Sequence, residues 1–217
     1  MPWSFPKIYP ILDASVIPTV GRKEFLLRLG CELAEAGVTL LEYRNKTGPV
    51  TELIADAAIL RAAMPAAGPG QQIKLILDDR VDLVEIMGLD GVHVDAGDLS
   101  PAEARRQLGP SHIVGTFGGS EALVPGVLDA PADYFSIGPI GLTETKKTTK
   151  PPIGPEGVRR LREEAGPKPI LVAAGGVTLE SAAKVLAVGA SAVAVAAAIF
   201  RTENPAAEFR RWQAELG

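Results

Sequence analysis

The chain has 217 residues, of which 47% are hydrophobic and 22% charged, and 22 Lys+Arg stand against 26 Asp+Glu for a formal net charge of −4. This composition excludes a disordered chain and leaves room for a sizeable buried core. The mild acidity provides no general attraction to nucleic acid or to an anionic membrane, so an anionic ligand has to be held by a local cluster.

Pro2, Pro6 and Pro10 interrupt the N-terminal segment, and no apolar core follows a basic start, so no secretory signal is read there. Short apolar runs then alternate with amphipathic stretches eight times, with candidate strands near residues 8–12, 38–43, 73–77, 91–94, 112–115, 134–137, 169–173 and 192–196. Helical segments of roughly nine to fifteen residues are expected between them. The one cysteine, Cys31, lies among Leu29, Leu33 and Ala34, which predicts a packed helical residue. It excludes an internal disulfide, and a free thiol fits a reducing, cytoplasmic setting. Ser100-Pro101-Ala102-Glu103 reads as a capping box with proline at the first helical position, closed by Gly109-Pro110, and Asn204-Pro205 opens the last helix in the same way. The longest apolar run, 192–200, is too short to cross a bilayer.

Nearly continuous apolar strands alternating with helices predict an α/β protein whose parallel sheet is covered on both faces. Eight such units in this length fit a single (β/α)₈ barrel domain over residues 1–217. A doubly wound open sheet competes with it, but no G-x-G-x-x-G turn follows the first strand.

Barrel enzymes carry their chemistry at the C-terminal strand ends. The second strand ends in Glu42-Tyr43-Arg44-Asn45-Lys46. Residues two apart share a face, so Glu42, Arg44 and Lys46 are expected inside the mouth, with Leu41 and Tyr43 turned to the helices. They form either an anion site with one polar recognition group or an internal ion-pair set. The third strand ends in Asp78-Asp79-Arg80, and the fourth leads to Asp98. Asp79 and Asp98 on neighbouring strands suit a hard cation such as Mg²⁺, which is commonly held by two carboxylates together with water and phosphate oxygens. Asp98 alternatively caps the helix behind Ser100. His93 and His112 are read as hydrogen-bonded core residues. After the sixth strand, Gly138-Pro139 opens a loop bearing Thr143, Thr145 and Lys146, which is either a phosphate-binding loop or a solvated turn. Gly175-Gly176 after the seventh strand, facing Ala196-Ala197 after the eighth, suit a phosphate held by backbone N–H groups. Two anion sites in one mouth imply small phosphorylated substrates, either two of them or one bisphosphate.

In these residues the chain resembles the thiamine phosphate synthase family over nearly its whole length. Tyr9-Pro10-Ile11-Leu12-Asp13 is similar to the family's opening strand, Glu42-x-Arg44-x-Lys46 to its Gln-x-Arg-x-Lys motif, and Asp78-Asp79-Arg80 to its Asn-Asp-Arg. Gly91-Val92-His93-Val94 running to Asp98 and Gly138-Pro139 running to Thr143-x-Thr145-Lys146 follow in order. The resemblance implies a transferase that joins 4-amino-2-methyl-5-hydroxymethylpyrimidine diphosphate to 4-methyl-5-(2-hydroxyethyl)thiazole phosphate, with release of pyrophosphate. It implies Mg²⁺ on Asp79 and Asp98, and the diphosphate on Arg44, Lys46 and Lys146. Glu42, Asp78 and Phe117 then fall on the pyrimidine diphosphate side. Thr143, Thr145, Gly175, Gly176, Ala196 and Ala197 fall on the thiazole phosphate side. The loop with Lys146, Lys147 and Lys150 is expected to close over the diphosphate, and a homo-oligomer is compatible with the pattern.

Four positions depart from the family pattern. Glu42 and Asp78 stand where amides are usual, and a carboxylate only accepts hydrogen bonds unless it is protonated. Phe117 stands where a serine touches the diphosphate, with Thr116 offering a hydroxyl if the strand end shifts by one residue. Ala197 replaces a second serine. Two other readings share the barrel: a thiazole tautomerase-like isomerase, for which a histidine is expected near Phe117, and a non-catalytic barrel that binds phosphorylated ligands.

Overall fold

The computed structural model describes residues 4–64, 73–143 and 149–217. Eight parallel strands close into a barrel in sequence order: β1 (Ile8–Asp13), β2 (Leu40–Arg44), β3 (Lys74–Asp78), β4 (Gly91–Val94), β5 (Ile113–Gly119), β6 (Tyr134–Ile137), β7 (Leu171–Ala173) and β8 (Ala192–Val195). Around it lie α1 (Arg22–Glu35), α2 (Val50–Ala63), α3 (Val81–Val84), α4 (Pro101–Leu108), α5 (Gly154–Ala165), α6 (Leu179–Ala187), α7 (Ala197–Phe200) and α8 (Pro205–Leu216). Among the described residues no helix is long and apolar enough to cross a membrane.

The period of two along each strand separates two apolar sets. Leu41, Tyr43, Leu75, Leu77, Val92, Val94, Val193 and Val195 pack outward in the larger cluster shared with the helices. Tyr9, Leu40, Ile76, Ile113, Tyr134, Val172, Ala192 and Ala194 form the smaller cluster that fills the lumen, with Phe5 packed against it. Gly115 makes room there, because a Cβ on it would lie 2.0 Å from the Tyr134 ring.

The helix signals behave as read. Ser100 and Glu103 form the reciprocal capping box on α4, and the Asn204 side chain accepts from the Ala207 N–H at the start of α8. Three expectations are corrected. The β5–β6 connection carries only a 3₁₀ turn, Val127–Asp129, and α3 is a single short turn; Pro125, Gly126 and Pro131 leave no run long enough for a helix in the former. Cys31 is exposed on α1, with its thiol 3.5 Å from the Ala63 carbonyl, because Gly30 rather than Cys31 makes the close approach to α2. Strand β5 also runs on to Gly119, past the expected end, by a register shift between Phe117 and Gly119.

One polar cluster fixes which way β2 faces. Tyr43 donates its hydroxyl to the buried Asp56 of α2, and Arg22 of α1 donates to the same carboxylate from Nε at 2.9 Å. Removing one partner of a buried ion pair typically costs about 3 to 5 kcal/mol. Asp56→Ala is therefore expected to lower stability by about 3 kcal/mol or more, read as a drop in the urea midpoint. A midpoint unchanged from wild type would show that β2 is held by apolar packing alone.

Candidate active site

With Tyr43 turned outward, Glu42 and Arg44 face the lumen, and the register places Ile11 beside Glu42 and Asp13 beside Arg44. These residues, with Tyr9, Asp78, His93, Asp95 and Ser136, line a cavity of about 400 Å³ at the C-terminal ends of the strands. Its far wall is Gly175, Gly176, Val177 and Thr178 after β7 with Ala196, Ala197 and Ala198 after β8. A second lobe of about 380 Å³ shares Asp95, Ser136, Thr143, Ala174 and Gly175 with the first and adds Lys46, Asp98, Phe117 and Lys150. The early-strand charges and the glycine wall thus meet in one opening.

The mouth is a network of opposed charges. Arg44 donates to Asp13 and sits 3.2 Å from Asp78, while Lys46 lies 3.0 Å from Asp78 and donates to Asp79. The ion-pair reading of these residues is therefore met in this structure, in the same place as the anion-site reading. Asp78 is buried, and burial together with the neighbouring Asp79 charge raises its pKa. Asp79 has a left-handed backbone (φ 67°) and Oδ1 is buried without a hydrogen-bond partner among the described residues. Asp98 is half-buried; burial and Asp79 raise its pKa. Asp98 accepts from the Asp95 N–H at 2.8 Å and does not cap α4, where Ser100 serves as the cap.

Below the mouth lies a hydrogen-bonded floor. Tyr9 donates to Glu42, the Tyr9 and Tyr134 hydroxyls are 2.8 Å apart, and His93 Nδ1 is 3.0 Å from the Tyr134 hydroxyl. His93 is a buried, hydrogen-bonded residue as read, but the interior it occupies is the cavity itself. Burial works against its charge, yet Asp95, Glu42 and Asp78 outweigh that effect and raise its pKa. His112 is remote, with Nδ1 2.6 Å from the Leu108 carbonyl.

The glycine wall is built by close backbone approach. Gly176 has φ 66°, and a Cβ on it would lie 2.3 Å from the Leu142 carbonyl oxygen. Gly175 accepts from the N–H groups of Ile140 at 2.8 Å and Gly141 at 3.0 Å, which pins the start of the Thr143 loop to β7. Thr143 lines both lobes, whereas Thr145, Lys146 and Lys147 lie outside the described residues. Thr116 does not offer its hydroxyl to the cavity: it is buried, and that hydroxyl donates to the Val94 carbonyl at 3.0 Å. Phe117 instead lines the second lobe with the Lys150 ammonium 4.1 Å from its ring centre, a cation–π contact.

The sequence reading did not assign Tyr9, Asp13, Asp95, Tyr134 and Ser136 to the site. Asp13 ends β1 in register with Arg44, and Ser136 is inward by the same alternation that selected Glu42, so strand phase was the available signal.

The family model described as thiamine monophosphate synthase matches residues 8–199. The chain belongs to the thiamine monophosphate synthase family. It is 38% identical over 192 residues to a protein named thiamine-phosphate synthase from Koribacter versatilis, covering 88% of each chain. A protein of the same name from Agrobacterium fabrum is 34% identical over 201 residues, covering 91% of this chain and 88% of its own. In fold, the chain is similar to a solved thiamine phosphate pyrophosphorylase from Pyrococcus furiosus at TM-score 0.76 and 24% identity, over 97% of this chain and 95% of that one.

Asp78 bears directly on anion binding, because it engages both Arg44 and Lys46. Asp78→Asn removes one competing charge from those cations. It is expected to tighten binding of inorganic pyrophosphate with Mg²⁺ by about tenfold in calorimetry. Equal or weaker binding would mean that Asp78 does not compete for them.

Proposed function

We propose that this member of the family is a thiamine phosphate synthase, joining 4-amino-2-methyl-5-hydroxymethylpyrimidine diphosphate to 4-methyl-5-(2-hydroxyethyl)thiazole phosphate and releasing pyrophosphate. The observation that carries this reading is the shared opening, in which cations and acids from the early strands face a backbone wall from the last two. One substrate brings a diphosphate to the charged side, and the other brings a monophosphate to the glycine side.

The residues present fit a divalent cation. Among the described residues Asp79 Oδ1 is buried without a hydrogen-bond partner beside Asp98, and Arg44 and Lys46 are already engaged by Asp13, Asp78 and Asp79. A diphosphate added to so many carboxylates needs more positive charge than those side chains provide. Among the described residues no group of three or more acidic, His or Cys side chains is arranged to hold a metal ion, but two carboxylates suffice for Mg²⁺, which keeps its other positions for water and phosphate oxygens. Asp79 and Asp98 would hold Mg²⁺, which when bound neutralises charge on the departing diphosphate.

Arg44, Lys46 and Lys146 bind and orient the diphosphate, and their fixed charges act most strongly as negative charge collects on the leaving oxygen. Backbone N–H groups of Gly176 and Ala197, with Thr143 and Thr145, seat the thiazole phosphate. The thiazole nitrogen is thereby aimed at the pyrimidine methylene, so that much of the rate comes from positioning.

Pure protein given both substrates and Mg²⁺ is expected to release pyrophosphate, and to release none when either substrate or the metal is withheld. Protein that binds the thiazole phosphate but forms no pyrophosphate would transfer the case to the isomerase or to a binding barrel. Asp98→Ala and Asp79→Asn, the latter chosen because Asn tolerates the left-handed backbone, are expected to cut turnover by more than about a hundredfold, with melting temperatures within about 2 °C of wild type. Wild-type turnover in either variant would remove that residue from the metal site.

A further inference from the structure

The cavity that joins the early strands to the glycine wall is unevenly charged. Asp13, Glu42, Asp78 and Asp95 line its early-strand side together with Arg44, and Arg44 is itself paired with Asp13 and lies 3.2 Å from Asp78. On the opposite side, among the described residues, the lining from β6 onward is uncharged except for one side chain, Arg201. An anion entering here therefore meets acids on one side and backbone N–H groups, which carry only partial charge, on the other. The chain's net charge of −4 does nothing to offset those acids. Full positive charge at the glycine end has to come from Arg201.

The chain behind the wall explains why Arg201 stands there. Beyond β8 it enters α7, a single turn over Ala197–Phe200, which the Arg201 N–H closes on the Ala197 carbonyl at 3.0 Å. Ile199 and Phe200 are buried in the outer apolar cluster and anchor that turn. Arg201 is thereby carried at the exposed rim, on the same turn as the alanines of the wall. Its side chain also borders an outer cavity of about 620 Å³ between α1 and the α7–α8 connection, where Arg28, Glu32 and Glu203 are the other charged groups. There two acids match two arginines, and Arg28 lies 3.8 Å from Glu32, so no excess of positive charge draws an anion to that side. The imbalance that Arg201 can correct is in the active cavity.

Building on the synthase reading, we infer that Arg201 is a specificity-determining residue: its guanidinium pairs with the phosphate seated at the glycine wall and selects a phosphate monoester over the corresponding free alcohol. A monoester carries close to two negative charges at neutral pH and the alcohol none, so a cation at this rim separates them by charge. The planar fork of the guanidinium suits two phosphate oxygens at once. This phosphate is not the leaving group and keeps its charge while the C–N bond forms. Arg201 thus holds the bound substrate and the transition state equally, and its contribution belongs in KM rather than in kcat.

Calorimetry of wild type, Arg201→Gln and Arg201→Lys with 4-methyl-5-(2-hydroxyethyl)thiazole phosphate and with its alcohol tests this. Arg201→Gln is expected to bind the phosphate ester about tenfold more weakly and the alcohol within about twofold of wild type. Arg201→Lys, which keeps the charge without the fork, should bind the ester more tightly than Arg201→Gln does. The wild-type advantage should shrink as salt is raised, as it does for a charge at an exposed rim. In turnover, Arg201→Gln should raise KM for the thiazole phosphate by about tenfold with kcat within about threefold. Pyrophosphate with Mg²⁺ should bind the variant within about twofold of wild type. An Arg201→Gln protein that keeps the wild-type preference for the ester, or loses ester and alcohol alike, overturns the inference. So does an equal loss of affinity for pyrophosphate, which would assign Arg201 to the charged mouth, and so does wild type that binds ester and alcohol equally. If wild type binds the ester but releases no pyrophosphate, the synthase reading fails separately and the calorimetric comparison still decides this one.

Discussion

A side chain on a strand of a closed barrel faces either the lumen or the helices, and strand β2 shows what decides between them. Tyr43 reaches the buried Asp56 of α2, which also holds Arg22 of α1, so three elements agree that this residue faces out. Glu42 and Arg44 then have only the lumen. A slip of one residue would bring Leu41 and Tyr43 inside and drive a carboxylate and a guanidinium into the apolar layer beneath the helices. The same phase, carried around the barrel by the strand register, turns Asp13, Asp78, His93 and Ser136 toward the cavity. The facing of the inward strand residues is therefore tied to how one outward tyrosine is held, while Thr143, Gly175, Gly176 and Ala196 reach the cavity from beyond their strand ends.

Inside the mouth, attraction between the protein's own charges does two things at once. The pairs Arg44–Asp13, Arg44–Asp78 and Lys46–Asp78 hold long cationic side chains in place before any ligand arrives, which lowers the entropy lost on binding. The same carboxylates weaken the field that an incoming diphosphate feels. Preorganisation and competition come from the same atoms. A site of this kind works best when extra positive charge arrives with the anion, and among the described residues Asp79 Oδ1, beside Asp98, is a buried oxygen with no hydrogen-bond partner.

The strands were legible because apolar runs covered on both faces are hard to mistake, and the strand ends were legible because chemistry-bearing residues gather there. The misses have physical reasons. Asp13 lies beyond the expected strand end because apolarity stops at Leu12, whereas the hydrogen-bonded ladder continues onto the charged residue. His93 is the buried, hydrogen-bonded residue that its place in a strand predicts, but in a barrel the inward half of each strand is the lumen, and one step below the rim that lumen is the floor of the cavity. Nothing local singles out Tyr9 and Tyr134, since the pairing of their hydroxyls depends on strands far apart in sequence. The strand phase turns Thr116 away from the cavity, so it offers no substitute hydroxyl.

The side chains at positions 42, 78 and 117 are linked by charge. A carboxylate at 42 is costly in so buried a place and is offset by His93 and Arg44, while Asp78, close enough to raise its pKa, makes the offset harder. Asp78 in turn draws on Arg44 and Lys46, which leaves less cation for the mouth. At the other side of the opening, Phe117 carries the Lys150 ammonium on its face, adding a positive group to the lobe that holds Lys46 and Asp98. Asp78 and the Lys150 ammonium therefore act in opposite directions on the charged mouth: the first draws on Arg44 and Lys46, and the second adds positive charge to the lobe that Lys46 also lines.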